Sequence, residues 1–237
     1  VDRDATQEDY VLRPEQQQAV EQTLEAFADG YDEMLWNAKP RFGKTLTAYD
    51  LMRRMEAKTV LIVTNRPAIA NSWYDDFAKF IAHQAPYCFI SESDSLAERN
   101  PMSREEFRKY LVARSGEDIR RIEFVSLQDL KGSERFGGKY DKNKYISELN
   151  WDLLIVDEAH EGVDTLKTDV AFNQINRKKT LHLSGTPFKA LASRKFAKEQ
   201  IYNWTYEDEQ EAKRNWNDPF EDNPYEPLPT LNLYTYQ

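Results

Sequence analysis

Two kinds of hydrophobic pattern alternate along this chain. Short apolar runs rich in branched residues recur at Met34-Leu35-Trp36, Thr59–Thr64, Tyr87–Ile90, Ile122–Ser126, Asp152–Val156 and Thr180–Leu183. Between them lie stretches whose apolar positions recur every three or four residues: Pro14–Ala28, Lys44–Met55, Ala68–Ile81 and Ser103–Ala113. The runs predict strands and the spaced stretches predict helices. Strands alternating with helices imply an α/β fold, a mostly parallel sheet covered on both faces. Such sheets bind ligands at the carboxyl ends of their strands. Lys131–Lys144, rich in Gly, Lys and Asp, reads as an exposed loop, and Leu231–Tyr236 reads as a possible further strand.

Composition narrows the class. The chain has 237 residues, 40% hydrophobic and 31% charged, an ordinary water-soluble mixture with room for one large domain or two small ones. Its longest apolar runs, such as Val60–Val63, are too short to span a bilayer, and Val1-Asp2-Arg3-Asp4 begins no secretory signal. The missing initiator Met leads us to expect an internal fragment. The single cysteine, Cys88, excludes an internal disulfide and a cysteine-based zinc site, and fits a cytoplasmic protein with a core thiol. The net charge of −9 argues against a broad basic surface for nucleic acid, although a local track of backbone contacts is compatible with it. Much of the acid falls between Glu207 and Glu226.

The candidate chemistry begins at Ala38-Lys39-Pro40-Arg41-Phe42-Gly43-Lys44-Thr45, between a predicted strand and a predicted helix. That is the setting of a phosphate-binding loop, where backbone N–H groups and the helix dipole face an anion. Gly43 lets the backbone approach phosphates, Lys44 can reach their oxygens, and the Thr45 hydroxyl can hold Mg²⁺. By itself Gly-Lys-Thr is equally compatible with a chance helix start. A second element supports it: Ile155-Val156-Asp157-Glu158-Ala159-His160 ends an apolar strand in two carboxylates. Asp157 suits a Mg²⁺ shell and Glu158 suits polarising an attacking water. An acidic turn capping the next helix is the plainer alternative, weakened by the order of the two elements.

Asp157-Glu158-Ala159-His160 resembles the DEAH form of motif II of superfamily 2 helicases, and Ala38–Thr45 is similar to their motif I. Ser184-Gly185-Thr186-Pro187 resembles motif III, and Leu12-Arg13-Pro14-Glu15-Gln16 resembles the Leu-Arg-x-Tyr-Gln element of type I and type III restriction enzyme motors. The resemblance runs from about Leu12 to Ala190 and implies a RecA-like P-loop NTPase domain over residues 1–202, followed by an acidic connector at 203–237. It also implies roles: Gln16, with Arg13 beside it, reads adenine; Arg41, Phe42, Gly43, Lys44 and Thr45 bind ATP–Mg²⁺; Ser184 and Thr186 couple nucleotide state to movement. His160 takes the place of the histidine linking the nucleotide site to motif III. Thr64-Asn65-Arg66 and Ser126-Leu127-Gln128 stand where the family contacts the nucleic-acid backbone; helix capping by Asn65 or Ser126 is as good a reading. The departures are Ala38 and Arg41 where glycines are usual, and Glu15 where tyrosine is.

The expected function is therefore an ATP-binding motor domain of a nucleic-acid-dependent ATPase, a helicase or translocase, acting on DNA with RNA also open. Its expected partners are the polymer and a second RecA-like domain of the parent chain. Nuclease or methylation modules, if any, lie outside these residues, and hydrolysis by this part alone is expected to be weak. Two other classes fit parts of the pattern: a P-loop ATPase that remodels proteins, and an interaction module with a degenerate nucleotide site, for which Arg41 is the argument.

Overall fold

The protein is described from a computed structural model, over residues 8–64, 66–131, 143–157, 172–185 and 196–228. Along the chain run α1 (Pro14–Ala28), β1 (Glu33–Ala38), α2 (Lys44–Arg54), β2 (Thr59–Thr64), α3 (Ala70–Asp76), β3 (Tyr87–Ile90), α4 (Arg104–Ala113), β4 (Arg120–Ser126), α5 (Leu127–Lys131), α6 (Lys144–Glu148), β5 (Asn150–Asp157), β6 (Asn176–Ser184), β7 (Ile201–Trp204) and α7 (Tyr206–Asn215).

The strands form one seven-stranded sheet in the order β3-β4-β2-β5-β6-β1-β7, and every pairing is parallel. Side chains alternate across it, as the twofold period of a strand requires. On β2, Val60 and Ile62 enter a core shared with Val20, Leu51 and Trp73 from α1, α2 and α3. Leu61 and Val63 enter the opposite core, with Leu130 and Ile146 from α5 and α6. Both faces are thus covered, which explains why the strands read as continuous apolar runs. This is the RecA-like arrangement expected of the P-loop pattern.

A parallel sheet places all strand carboxyl ends along one edge. Ala38, Thr64, Ser126, Asp157 and Ser184 each end a strand there. Register aligns Thr64 with Asp157 and with Ser126, and Ser184 with Asn37.

Several details depart from the sequence expectations. The predicted helix over Ala68–Ile81 is a 3₁₀ turn at Pro67–Ile69, then α3, then a π turn at Phe77–Ile81. Lys144, read as the end of a loop, starts α6. Cys88 is half-buried rather than fully in the core. After Ala197 the chain returns to the sheet: β7 pairs with β1, crossing positions 202 and 203, and α7 follows, capped by Thr205, whose hydroxyl accepts from the Asp208 N–H at 3.2 Å. The possible strand at Leu231–Tyr236 lies outside the described residues.

Candidate nucleotide site

The loop after β1 turns sharply into α2, and two residues take left-handed backbone: Arg41 (φ 69°) and Gly43 (φ 84°). Gly43 is the N-cap of α2, so the helix begins at Lys44. The N-cap Gly43 has no side chain to cap this end, and the first-turn N–H groups of a helix are the usual setting of an anion site. A Cβ on Gly43 would lie 2.6 Å from Gln16 Nε2, so this position requires glycine twice over. Lys44 and Thr45 are half-buried on the first turn. The Lys44 ammonium folds over its own loop, with Nζ donating to Ala38 O at 2.8 Å and approaching Lys39 O at 3.4 Å.

The element at the start of α1 braces this loop from beneath. Gln16 is buried, its Oε1 accepting from the Arg13 N–H at 2.8 Å and its Nε2 donating to Phe42 O at 2.8 Å. The Arg13 Nη2 donates to the same carbonyl at 2.8 Å. An amide has two N–H bonds and two lone pairs, and Gln16 uses both of its ends to tie the start of α1 to the loop. Phe42 itself is fully buried, its ring tilted on Tyr202 at 6.2 Å; what it offers the loop is backbone. Arg41 is exposed.

Asp157 ends β5, 6% exposed, and its Oδ2 accepts from the Trp73 indole N–H at 2.7 Å. Ser184 ends β6 and is buried. Glu158, His160, Thr186 and Asn65 lie outside the described residues. The candidate polymer contacts divide into two kinds. The buried Thr64 hydroxyl accepts from the Arg66 N–H of its own turn at 3.1 Å. Buried Ser126 caps α5, its Oγ accepting from the Asp129 N–H at 3.0 Å and donating to Asp129 Oδ2 at 2.8 Å. Among the described residues of the two segments, Arg66 and Gln128 are exposed. Among the described residues no cluster of His, Cys, Asp or Glu is set to hold a metal, and no helix is long and apolar enough to cross a membrane.

Sequence reasoning missed four participants: Trp73 on Asp157, Glu15 beneath the loop, and Lys39 paired with Glu209 of α7 at 2.6 Å. Trp73 reads from sequence as a core residue, and it is fully buried; nothing in its spacing announces the indole N–H bond. The Glu15 departure from the usual tyrosine was the one visible signal.

A P-loop between β1 and α2, an acidic strand end at β5 and an all-parallel sheet define the class, a RecA-like helicase-type ATPase domain. Residues 9–189 match the family described as type III restriction enzyme, res subunit, and the chain belongs to that family. A curated relative from Mycoplasma pneumoniae, described as the C-terminal part of a type II restriction enzyme and methyltransferase, is 27% identical over 96% of this chain and 36% of its own length. The chain thus spans about a third of that relative. Among solved structures, a nuclease-deletion mutant of the type ISP restriction-modification enzyme LlaGI in complex with a DNA substrate mimic superposes with TM-score 0.61 at 16% identity, covering 88% of this chain and 21% of that one. The Sulfolobus solfataricus SWI2/SNF2 ATPase core in complex with dsDNA gives 0.55 at 17% identity, covering 80% and 35%. These likenesses establish the shared fold.

Proposed function

We propose that this chain is the first RecA-like motor domain of an ATP-driven DNA translocase or helicase of a restriction-type system, with ATP–Mg²⁺ as its ligand. The observation that supports it most is the braced loop, with a glycine-specific αL turn at Gly43 opening α2 on the same sheet edge as Asp157. The donor set suits a hard cation: a hydroxyl at Thr45 and a carboxylate at Asp157 are oxygen ligands of the kind Mg²⁺ takes with triphosphates.

In this reading Lys44 swings from the Ala38 carbonyl onto the β- and γ-phosphates, and the N–H groups at the start of α2 bind their oxygens. Thr45 and Asp157 hold Mg²⁺, and Gln16 and Arg13 orient the base. Bound ATP supplies an electrophilic γ-phosphorus. Glu158 accepts the proton of the attacking water, and His160, Ser184 and Thr186 relay the nucleotide state to the polymer track at Thr64, Asn65, Arg66, Ser126 and Gln128. Arg66 and Gln128, exposed at neighbouring strand ends, are the side chains best placed to meet phosphates. A second RecA-like domain completes the ATPase site, so this part alone binds nucleotide and turns it over slowly.

The test is ATP hydrolysis by the protein that carries this chain, with no polymer, duplex DNA, single-stranded DNA or RNA, beside Glu158→Gln. Stimulation by duplex DNA that disappears in Glu158→Gln is the expected result. Equal rates with and without every polymer would replace the DNA motor by a protein-remodelling ATPase.

A further inference from the structure

The segment after β7 grips the phosphate loop at both ends. At the loop's start, the Lys39 ammonium lies 2.6 Å from each oxygen of the Glu209 carboxylate and 5.3 Å from the centre of the Tyr206 ring. The Lys39 N–H donates to Trp204 O at 3.0 Å. Glu209 is completely buried, and its carboxylate pairs with Lys39 there. At the loop's far end, the Tyr225 hydroxyl donates to Glu15 Oε2 at 2.7 Å, and Glu15 Oε1 accepts from Arg13 Nε at 2.6 Å. Arg13 in turn donates to Phe42 O.

Glu209 and Tyr225 belong to one small body. Lys213, on the last turn of α7, donates to Glu226 O at 3.0 Å and to Leu228 O at 3.1 Å; Asn223 donates back to Lys213 O at 2.9 Å. Trp216 packs edge-on against Tyr225 at 6.1 Å. Glu15, buried at the start of α1, is thus met by a tyrosine from the tail.

We propose that residues 205–228 form a brace that sets nucleotide affinity, with Glu209 and Tyr225 as positioning residues of the phosphate loop; this rests on the nucleotide-site reading above. A loop must hold its N–H groups in one arrangement to bind phosphate, and affinity falls in proportion to the fraction of time it does so. The brace reaches the loop directly at Lys39 and, through Glu15 and Arg13, at the Phe42 carbonyl. Linkage makes the effect mutual: if the braced state binds nucleotide better, nucleotide must tighten the brace.

The experiment is amide hydrogen exchange across 206–215 with and without saturating Mg²⁺–ADP, together with ADP affinity, in the wild type, Glu209→Gln, Tyr225→Phe and Lys44→Ala. ADP is expected to slow exchange in α7 several-fold in the wild type. Glu209→Gln is expected to weaken ADP about tenfold and to abolish that protection, and Tyr225→Phe to weaken ADP about threefold. Should Glu209→Gln not fold, the wild-type exchange and Tyr225→Phe decide. Normal ADP binding that is lost in Lys44→Ala, with α7 exchange indifferent to ADP or with both tail variants binding as wild type, overturns the brace alone. No ADP binding by the wild type, or undiminished binding in Lys44→Ala, overturns the nucleotide site and the brace with it.

Discussion

The indole N–H of Trp73 donates to the Asp157 carboxylate across the sheet's carboxyl edge, at 2.7 Å and in a fully buried setting. Trp73 is itself held by Tyr49, whose ring meets it edge-on at 5.3 Å and whose hydroxyl donates to the Trp73 carbonyl at 2.7 Å. Thus α2, which begins at the phosphate loop, and α3, which follows Arg66, both fix the orientation of the candidate Mg²⁺ carboxylate. A hydrogen bond to a charged acceptor contributes about 1.5–3 kcal/mol.

Trp73→Phe keeps the aromatic packing and removes the donor. Its expected signature is a rise of about tenfold in the Mg²⁺ concentration needed for nucleotide binding, with Mg²⁺-free binding unchanged, since tenfold corresponds to about 1.4 kcal/mol. Titration of nucleotide affinity against Mg²⁺ checks it. An equal loss with and without Mg²⁺ would mean that the indole only supports packing.

Gly43→Ala is expected to damage the site even though it adds one methyl group. The left-handed backbone costs an L-residue about 1–2 kcal/mol, and the new Cβ would press on Gln16 Nε2 at 2.6 Å. Gln16 is buried and bonded at both ends of its amide, so it has little room to yield. A stability loss of about 1–2 kcal/mol and at least tenfold weaker nucleotide binding should appear together, by denaturant unfolding and by titration. Wild-type affinity in this variant would detach Gln16 from the loop.

Arg41 presents the opposite case. It carries φ 69° with an exposed side chain, a left-handed backbone that favours glycine. Glycine removes the strain but enlarges the unfolded ensemble by roughly 0.4–1 kcal/mol. Arg41→Gly is therefore expected to leave stability within about 1 kcal/mol of wild type, on the stabilising side, and to preserve nucleotide binding. A clear loss of binding would assign the guanidinium a phosphate contact.

How much was legible in the sequence follows from which forces are local. Strands β1 to β6 and helices α1, α2 and α4 announce themselves because apolar periodicity reflects burial, which each segment encodes for itself. The placement of Gly43, Lys44 and Asp157 along the sheet's carboxyl edge was legible because each ends or directly follows an apolar strand run. The partners Trp73–Asp157, Lys39–Glu209 and Glu15–Tyr225 were not, because each joins residues far apart in the chain through side chains with ordinary structural uses. β7 escaped notice because Ile201-Tyr202-Asn203-Trp204 is short and sits at the edge of the sheet, where Asn203 is exposed and breaks the apolar run. Nothing in the tail's acidic composition marks Glu209, which is buried against Lys39.

Asp76, at the end of α3, links the stability of this helix to pH. Burial pushes its carboxyl up to about 6, helped by neighbouring Asp75 and opposed by Lys79. Its folded pKa thus exceeds its unfolded one, near 3.8. Between those values the folded state binds more protons, so stability falls as pH rises through about 6 and the penalty is complete above it. Asp76→Asn removes the penalty. Because the carboxyl is only partly shielded from water, the gain is discounted to on the order of 1 kcal/mol. A thermal unfolding series should show Asp76→Asn more stable than wild type at pH 8, by about 2–4 °C for a domain of this size, with the difference vanishing at about pH 3.5. An equal gain at both pH values would locate the effect in helix propensity or packing rather than in the buried charge.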